Sequence, residues 1–273
     1  MLKTAITAKL SSGANKAMLL TRLWVRLSTN LMLLSIFIST NCYSTTPPLR
    51  IAVAANFSPI LEQLIPEFTK QTQIPVQIIS ASSGTLFLQI SHGAPFDIFL
   101  SADSTRPKKL KAAGLILADS LQTYAYGQLA LWSSDKVVTL ETLANTITEQ
   151  RFGIANTETA PYGKAAKETL ESLNLWSQAQ SHLVTGININ QTFQQIRSKA
   201  VNIGIVANSQ LVLNQLTGTV IPSHYHQAIK QQLVILKTSK QAKNAKAFSE
   251  FLLSKAIQKQ LLNLGYTSYG EVL

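Results

Sequence analysis

The chain nearly lacks cysteine. Cys42 is the only one in 273 residues, and it lies in the polar exit that follows an N-terminal apolar stretch. If export processing cuts after it, the mature protein has no thiol at all, which excludes disulfides, cysteine nucleophiles and thiolate metal sites. Acids are scarce too, 13 against 24 Lys plus Arg, and only 14% of residues are charged while 46% are hydrophobic. That balance belongs to a globular chain that buries a core and not to a disordered one. No period of about 20 to 50 residues recurs, which excludes a solenoid. Phosphate-loop, metalloprotease and nucleophile-elbow patterns are missing as well, since Gly163-Lys164 lacks the spacing of the first.

What is present begins with residues 1–44. Lys3, Lys9, Lys16, Arg22 and Arg26 stand there without an acid, ahead of Leu31-Met32-Leu33-Leu34-Ser35-Ile36-Phe37-Ile38 and a polar exit from Ser39 to Ser44. A basic lead, an apolar stretch too short for a bilayer and a small polar exit predict an export signal, with Met18 as the more ordinary start. An uncleaved anchor is the alternative. A lipid-modified Cys42 is another, although Ser39-Thr40-Asn41 lacks the aliphatic and small residues of such signals. Without the 5 basic residues of the signal, 19 basic residues face 13 acidic ones, a net charge of +6. That excess can steer anions or simply keep the protein soluble.

The most informative stretch runs from Ile78 to Asp103, IISASSGTLFLQISHGAPFDIFLSAD. A β-branched run gives way to Ser80-Ala81-Ser82-Ser83-Gly84-Thr85, after which Leu86, Phe87 and Ile90 recur at helical spacing until His92-Gly93. A small polar turn between strand and helix leaves unpaired N–H groups at the positive end of a helix dipole, where an anion is held without Lys or Arg. An ordinary serine N-cap has the same appearance. The pattern recurs, however, at Arg50-Ile51-Ala52-Val53-Ala54-Ala55-Asn56-Phe57-Ser58-Pro59, around Pro161-Tyr162-Gly163-Lys164 and around Asn188-Ile189-Asn190. Four such junctions suggest one oxyanion gripped from several sides.

In chain order, strands are predicted at Ile51 to Ala54, Ile74 to Ile79, Asp97 to Ser101, Leu121 to Trp132, Phe152 to Ala155, near Val184, at Ile203 to Val206 and at Gln232 to Leu236. Helices alternate with them. Ser58-Pro59 is expected to cap the first, which Pro66 must bend or deprive of a hydrogen bond. Asp103 is expected to cap the one ending at Gly114, and further helices are expected at Leu140 to Ile147, Tyr162 to Leu173, Asn190 to Ser198 and Ala245 to Leu264. Alternating elements imply an α/β fold with mostly parallel sheets, helices on both faces and ligands at the carboxyl ends of the strands. Two lobes are expected, residues 45–127 with 225–273 and residues 128–224, linked by extended segments near 125–132 and 222–232.

Taken together, AVAANF (52–57), SASSGTL (80–86), GAPFDIFLSAD (93–103), APYGKAAKETL (160–170) and IGIVANSQL (203–211) resemble the periplasmic molybdate-binding proteins of ABC importers, in that family's order and spacing over nearly all of 49–265. The resemblance implies the two-lobed type II periplasmic binding protein fold, with each lobe a mostly parallel sheet flanked by helices. It also implies an exported, monomeric, non-enzymatic protein that captures molybdate or tungstate and hands it to a membrane permease. No cofactor and no nucleic-acid partner are implied. Carried over by position, the oxyanion contacts fall on Asn56 with the backbone of Ala55, on Ser83 through hydroxyl and N–H, on the Tyr162 hydroxyl, and on Ile189 through its backbone. One departure stands out: members without a tyrosine at position 162 carry one after the G-I-V run, where this chain has Ala207. One phenol is lost and another gained, which bears on fine selectivity and not on oxyanion binding.

The donor types suit the ligand independently of the resemblance, because a tetrahedral dianion only accepts hydrogen bonds, and N–H, Ser, Asn and Tyr all donate. Sulfate or another tetrahedral oxyanion is the alternative ligand, and an enzyme on the same scaffold is the alternative class. Lys164 is better placed as a solvated first-turn lysine than as an anion contact. His224 and His226 lack neighbouring ligands for zinc. Asp97 and Asp103 are explained by strand start and helix cap without acid–base chemistry.

Overall fold

The computed structural model describes residues 47–267. The expected signal at 1–44 and Cys42 lie outside the described residues, as do 45–46 and 268–273 of the expected first lobe. In chain order the elements are β1 (Leu49–Ala54), α1 (Ser58–Thr72), β2 (Val76–Ala81), α2 (Ser83–Ser91), β3 (Ile98–Ser101), α3 (Thr105–Ala112), β4 (Gln122–Gly127), β5 (Leu129–Ser133), α4 (Leu140–Ile147) and β6 (Phe152–Ala155). They continue as α5 (Pro161–Ser172), α6 (Trp176–Ala179), β7 (Leu183–Gly186), α7 (Ile189–Arg197), β8 (Ile203–Ala207), α8 (Asn208–Leu213), β9 (Thr219–Val220), β10 (Ile229–Ile235), α9 (Ala242–Leu252) and α10 (Lys255–Asn263).

The strands form two five-stranded sheets, in the orders β2-β1-β3-β10-β4 and β7-β6-β8-β5-β9. In the first, β1 pairs in parallel with β2 and β3, and β10 runs antiparallel to both β3 and β4. In the second, β6 pairs in parallel with β7 and β8, and β5 runs antiparallel to β8 and β9. Four strands of each sheet therefore point one way, and the single reversed strand, β10 or β5, makes each sheet mixed. Both reversed strands begin where the chain has just passed from one sheet to the other: at Gln128, and within 221–228.

Both faces of each sheet are buried, which is why its strands are continuously apolar. On β1, Leu49, Ile51 and Val53 face a core built with Phe57, Ile60, Leu61, Leu64 and Phe68 of the α1 region and with α9 and α10. Ala52, Phe99 and Val234 face the opposite side, toward Leu86 and Ile90 of α2 and Leu110 of α3. The second sheet repeats the scheme. Leu129, Leu131, Phe152, Ile154, Ile203 and Ile205 pack on α4 and α5, and Ala130, Trp132 and Val206 pack on Phe193 and Ile196 of α7.

Several expected boundaries shift. The run from Leu121 to Trp132 is two strands in different sheets, broken at Gln128. The final helix is also two, since Ser254 accepts the Ile257 N–H through its side chain and starts a new helix in the middle of the apolar period. Ser58 is the first residue of α1 and not its cap, because the capping position is Phe57 and no side chain bonds there. Pro66 sits inside α1 without ending it, on the exposed face, where water can serve the orphaned carbonyl. Asp103 lies one residue before the cap of α3, yet its Oδ1 still accepts the Arg106 N–H at 2.8 Å.

Candidate functional site

Four strand-to-helix or strand-to-turn junctions meet at one small cavity. Its lining is Ala54, Ala55, Asn56, Ser82, Ser83, Ala102, Ala160, Pro161, Tyr162, Asn188 and Ile189, none of them charged. The five residues singled out in the sequence, Ala55, Asn56, Ser83, Tyr162 and Ile189, are all here and all at most 3% exposed. The first three come from the first sheet's side and the last two from the second sheet's. Room for water centres within the cavity is only ≈ 10 Å³, about that of a single water.

Each junction is shaped by local chemistry. Ser82 caps α2 by accepting the Thr85 N–H at 3.2 Å, which leaves Ser83 as the first helical residue. The Ser83 Oγ accepts the Ala102 N–H at 2.9 Å, so its own proton stays available. Ahead of α5, Asn156 Oδ1 accepts the N–H groups of Glu158 and Thr159, both at 2.9 Å, and holds the loop into Pro161. Pro161 has no N–H, so the first one α5 presents is that of Tyr162. Asn188 caps α7 by accepting the Gln191 N–H at 3.0 Å, and Gln210 braces the same helix start by donating to Asn190 Oδ1 at 2.7 Å and to the Ile189 carbonyl at 3.3 Å.

Among the described residues, the backbone N–H groups of Asn56, Ser83, Tyr162 and Ile189 find no protein acceptor. Buried amides without a partner cost roughly 1–3 kcal/mol each, so a cavity ringed by them is built for something that accepts hydrogen bonds. The N-termini of α2, α5 and α7 add favourable dipole contributions of roughly 0.3–2 kcal/mol each toward an anion.

Two of the expected donors are also engaged within the protein. Ala55 lines the cavity, but its N–H donates to the Ala81 carbonyl at 2.9 Å as β1 continues its pairing with β2, so it has no donor to offer. The Asn56 carboxamide is engaged as well: Nδ2 donates to Gln231 Oε1 at 2.9 Å and approaches the hydroxyls of Tyr266 at 3.3 Å and Tyr162 at 3.5 Å. Asn56 therefore presents its backbone N–H to the cavity while its side chain joins a buried polar cluster.

Sequence reasoning missed that cluster. It comprises Tyr124, Tyr162, Gln231 and Tyr266, drawn from positions up to 210 residues away from Asn56. Its one signal was Gln231-Gln232 beside the apolar run Leu233-Val234-Ile235, where a buried carboxamide demands partners. Burial pushes the Tyr124 and Tyr162 hydroxyls well above the ordinary phenol range, with neighbouring tyrosines adding to the effect, and burial pushes Tyr266 up to about 12. All three stay protonated near neutral pH, which keeps them able to donate.

A larger cavity of ≈ 370 Å³ adjoins the first and shares Ala102, Ala160 and Pro161 with it. Arg106, Lys109 and Lys164 lie there together with Asp103, Glu158 and Glu168. Two of these three cations are offset locally: Arg106 pairs with Asp103 and donates to the Glu158 carbonyl at 2.7 Å, and the 60%-exposed Lys164 lies 3.6 Å from Glu168. Asp97 is structural, accepting the Arg50 N–H at 2.8 Å and the Ser239 hydroxyl at 2.6 Å. Ala207 closes β8 in the second core and does not reach the small cavity.

Comparison with known proteins agrees with this architecture. The molybdate-binding protein ModA of Rhodobacter capsulatus is 35% identical over 219 residues, covering 80% of this chain and 87% of the relative. ModA of Azotobacter vinelandii is 34% identical over 232 residues, covering 82% and 92%. The solved structure of the A. vinelandii periplasmic molybdate-binding protein superposes with a TM-score of 0.76 over 81% of this chain and 99% of that one. The family described as bacterial extracellular solute-binding protein matches residues 49–267, the whole of both sheets and every residue of the cavity, and the chain belongs to that family.

Proposed function

We propose that this protein is the extracytoplasmic binding component of an ABC importer and captures molybdate, or tungstate, as the intact tetrahedral dianion. The observation that carries this reading is the ring of unpaired backbone N–H groups at Asn56, Ser83, Tyr162 and Ile189, joined by the Ser83 and Tyr162 hydroxyls, around a cavity without a charged side chain. Neutral donors satisfy a dianion without a buried cation, and release breaks no ion pair. The relatives whose names specify molybdate support the choice of ligand. No cofactor is needed, because the oxyanion itself is the cargo.

In this reading residues 45–127 with 225–273 form one lobe and 128–224 the other, which fits the passages between sheets at Gln128 and within 221–228. The anion sits between the lobes, and their closure presents a distinct shape to the membrane permease. Export by the 1–44 signal to the periplasm and a monomeric state complete the proposal. A binding role and not catalysis is the reading that membership in the solute-binding family supports, and Asp97 and Asp103 are both engaged in structural contacts.

Calorimetric titration with molybdate tests this directly. A single-site heat is expected, with a rise in thermal midpoint reflecting about 4 kcal/mol of stabilisation at a thousandfold excess over Kd. Sulfate is expected to compete only weakly. Neither heat nor midpoint shift at millimolar anion would remove the reading, and displacement by equimolar sulfate would replace the ligand.

Tyr162→Phe separates the hydroxyl from the rest. Loss of one buried hydrogen bond to a charged acceptor is expected to weaken molybdate binding about tenfold, on the order of 1–2 kcal/mol. Unchanged affinity in the titration would reduce Tyr162 to a wall of the cavity.

A further inference from the structure

Gln231 is a fully buried carboxamide on β10, at the point where the pairing with β4 slips register between Gln231 and Gln232. It does not line the cavity, yet it touches two residues that do. Its Oε1 accepts from Asn56 Nδ2 and from the Tyr124 hydroxyl, both at 2.9 Å, and its Nε2 donates to the Tyr162 hydroxyl at 3.2 Å. Asn56 Nδ2 also approaches that hydroxyl, at 3.5 Å.

The direction of these bonds matters more than their number. A phenol oxygen has one proton to give and lone pairs to receive with. Two N–H groups are aimed at the Tyr162 oxygen, and among the described residues nothing accepts its proton. Tyr162 lines the cavity, and an oxyanion held there would supply the missing acceptor. The carboxamide cannot turn over to take the proton itself without bringing its N–H₂ group against the Asn56 N–H₂ group that Oε1 now receives.

We propose that Gln231 is a positioning residue for the anion site, holding the Tyr162 hydroxyl in the donor sense toward the bound oxyanion while Asn56 and Tyr124 fix the carboxamide. The proposal rests on the oxyanion-binding reading above and deepens it. Gln231 lies on the strand that starts directly after the second passage between the sheets, so it ties the anion contact on the second sheet's side to the backbone of the first.

The test is a double-mutant cycle on molybdate affinity. Gln231→Met keeps the length of the side chain and removes both polar atoms. It is expected to weaken binding about tenfold in the native background and no more than about twofold when Tyr162 is already Phe, because the two residues act through one bond. Equal losses in both backgrounds would mean that Gln231 only packs, and would overturn the proposal. Gln231→Glu gives a second readout, since it replaces the N–H donor by an acceptor that draws the Tyr162 proton away from the anion. The introduced carboxyl would face Tyr124 of β4, Tyr162 of α5, Asn56 and, beyond it, Tyr266, with the field of Asp103 reaching Tyr124. Its affinity is expected to fall steeply between about pH 6.5 and about pH 9 as that carboxyl ionises, while the native protein stays flat. A flat profile for the Glu variant would overturn the proposal, and this profile decides alone if the Met variant does not fold. A native protein that binds neither molybdate nor sulfate sinks the functional reading and this proposal together. Native binding with an unaffected Gln231→Met sinks only the proposal.

Discussion

Gly84→Ala is expected to weaken molybdate binding by about a hundredfold and to lower the stability of the unliganded protein by about 1–3 kcal/mol. Gly84 is the second residue of α2, and its N–H donates to the Thr159 carbonyl at 2.8 Å, from the first sheet's side to the second's. A Cβ placed there would lie 2.8 Å from Thr159 Cα and 2.9 Å from its carbonyl oxygen. The Arg106 guanidinium, also 2.9 Å away, can swing aside because it is the far end of a flexible chain. The Thr159 backbone cannot, since Asn156 Oδ1 holds both its N–H and its hydroxyl. The added methyl therefore acts as a wedge that keeps α2 from meeting the 156–160 loop, without altering a donor to the anion. Within the first turn of α2 alanine is at least as good as glycine, so the loss of stability comes from the overpacked contact and not from the helix. Titration, thermal unfolding without ligand and small-angle scattering with saturating molybdate would be compared. Native affinity in the variant would show that this contact is not part of the binding-competent form.

Much of the fold was legible because it is local. The period change from strand to helix located β1, β2, β3, β6, β8 and their helices, and the helix at Leu140–Ile147 and the strand at Phe152–Ala155 fall where the pattern put them. What the pattern hid was partnership. The run from Leu121 to Trp132 reads as one strand although the lobe boundary was expected at 127/128, because nothing local shows that pairing passes there from β10 to β8. The break at Ser254 was written in the sequence as a capping serine, but the apolar residues on either side keep a helical spacing across it. For the cavity, the four small polar turns were visible and converge as their repetition suggested. The use of each donor was not visible. The N–H of Ala55 goes to Ala81, and the side chain of Asn56 goes to Gln231, through contacts 26 and 175 positions apart that no local rule anticipates.

Those long-range contacts leave one residue with no freedom at all, and it has no side chain. Gly127 ends β4, paired with Ile229 of β10, immediately before the chain leaves the first sheet. A Cβ on it would lie 2.2 Å from the Tyr162 hydroxyl oxygen, 2.8 Å from the ring carbon that bears it and 3.0 Å from Gln231 Nε2. The phenol is 1% exposed and tightly packed, so relieving the contact displaces its oxygen by roughly an ångström. Such a shift separates the hydroxyl from the cavity and from Gln231 together. Gly127→Ala is therefore expected to lower molybdate affinity about a hundredfold, roughly 2–3 kcal/mol, more than removal of the hydroxyl alone. Overpacking at this point is also expected to reduce stability by about 1–3 kcal/mol, readable as a lower thermal midpoint without ligand. Combining it with Tyr162→Phe isolates the cause, because the oxygen that suffers the closest contact is then gone. The double variant should bind no worse than Gly127→Ala alone and recover part of the lost midpoint, whereas losses that simply add would place the damage in the β4–β10 pairing and not at the hydroxyl.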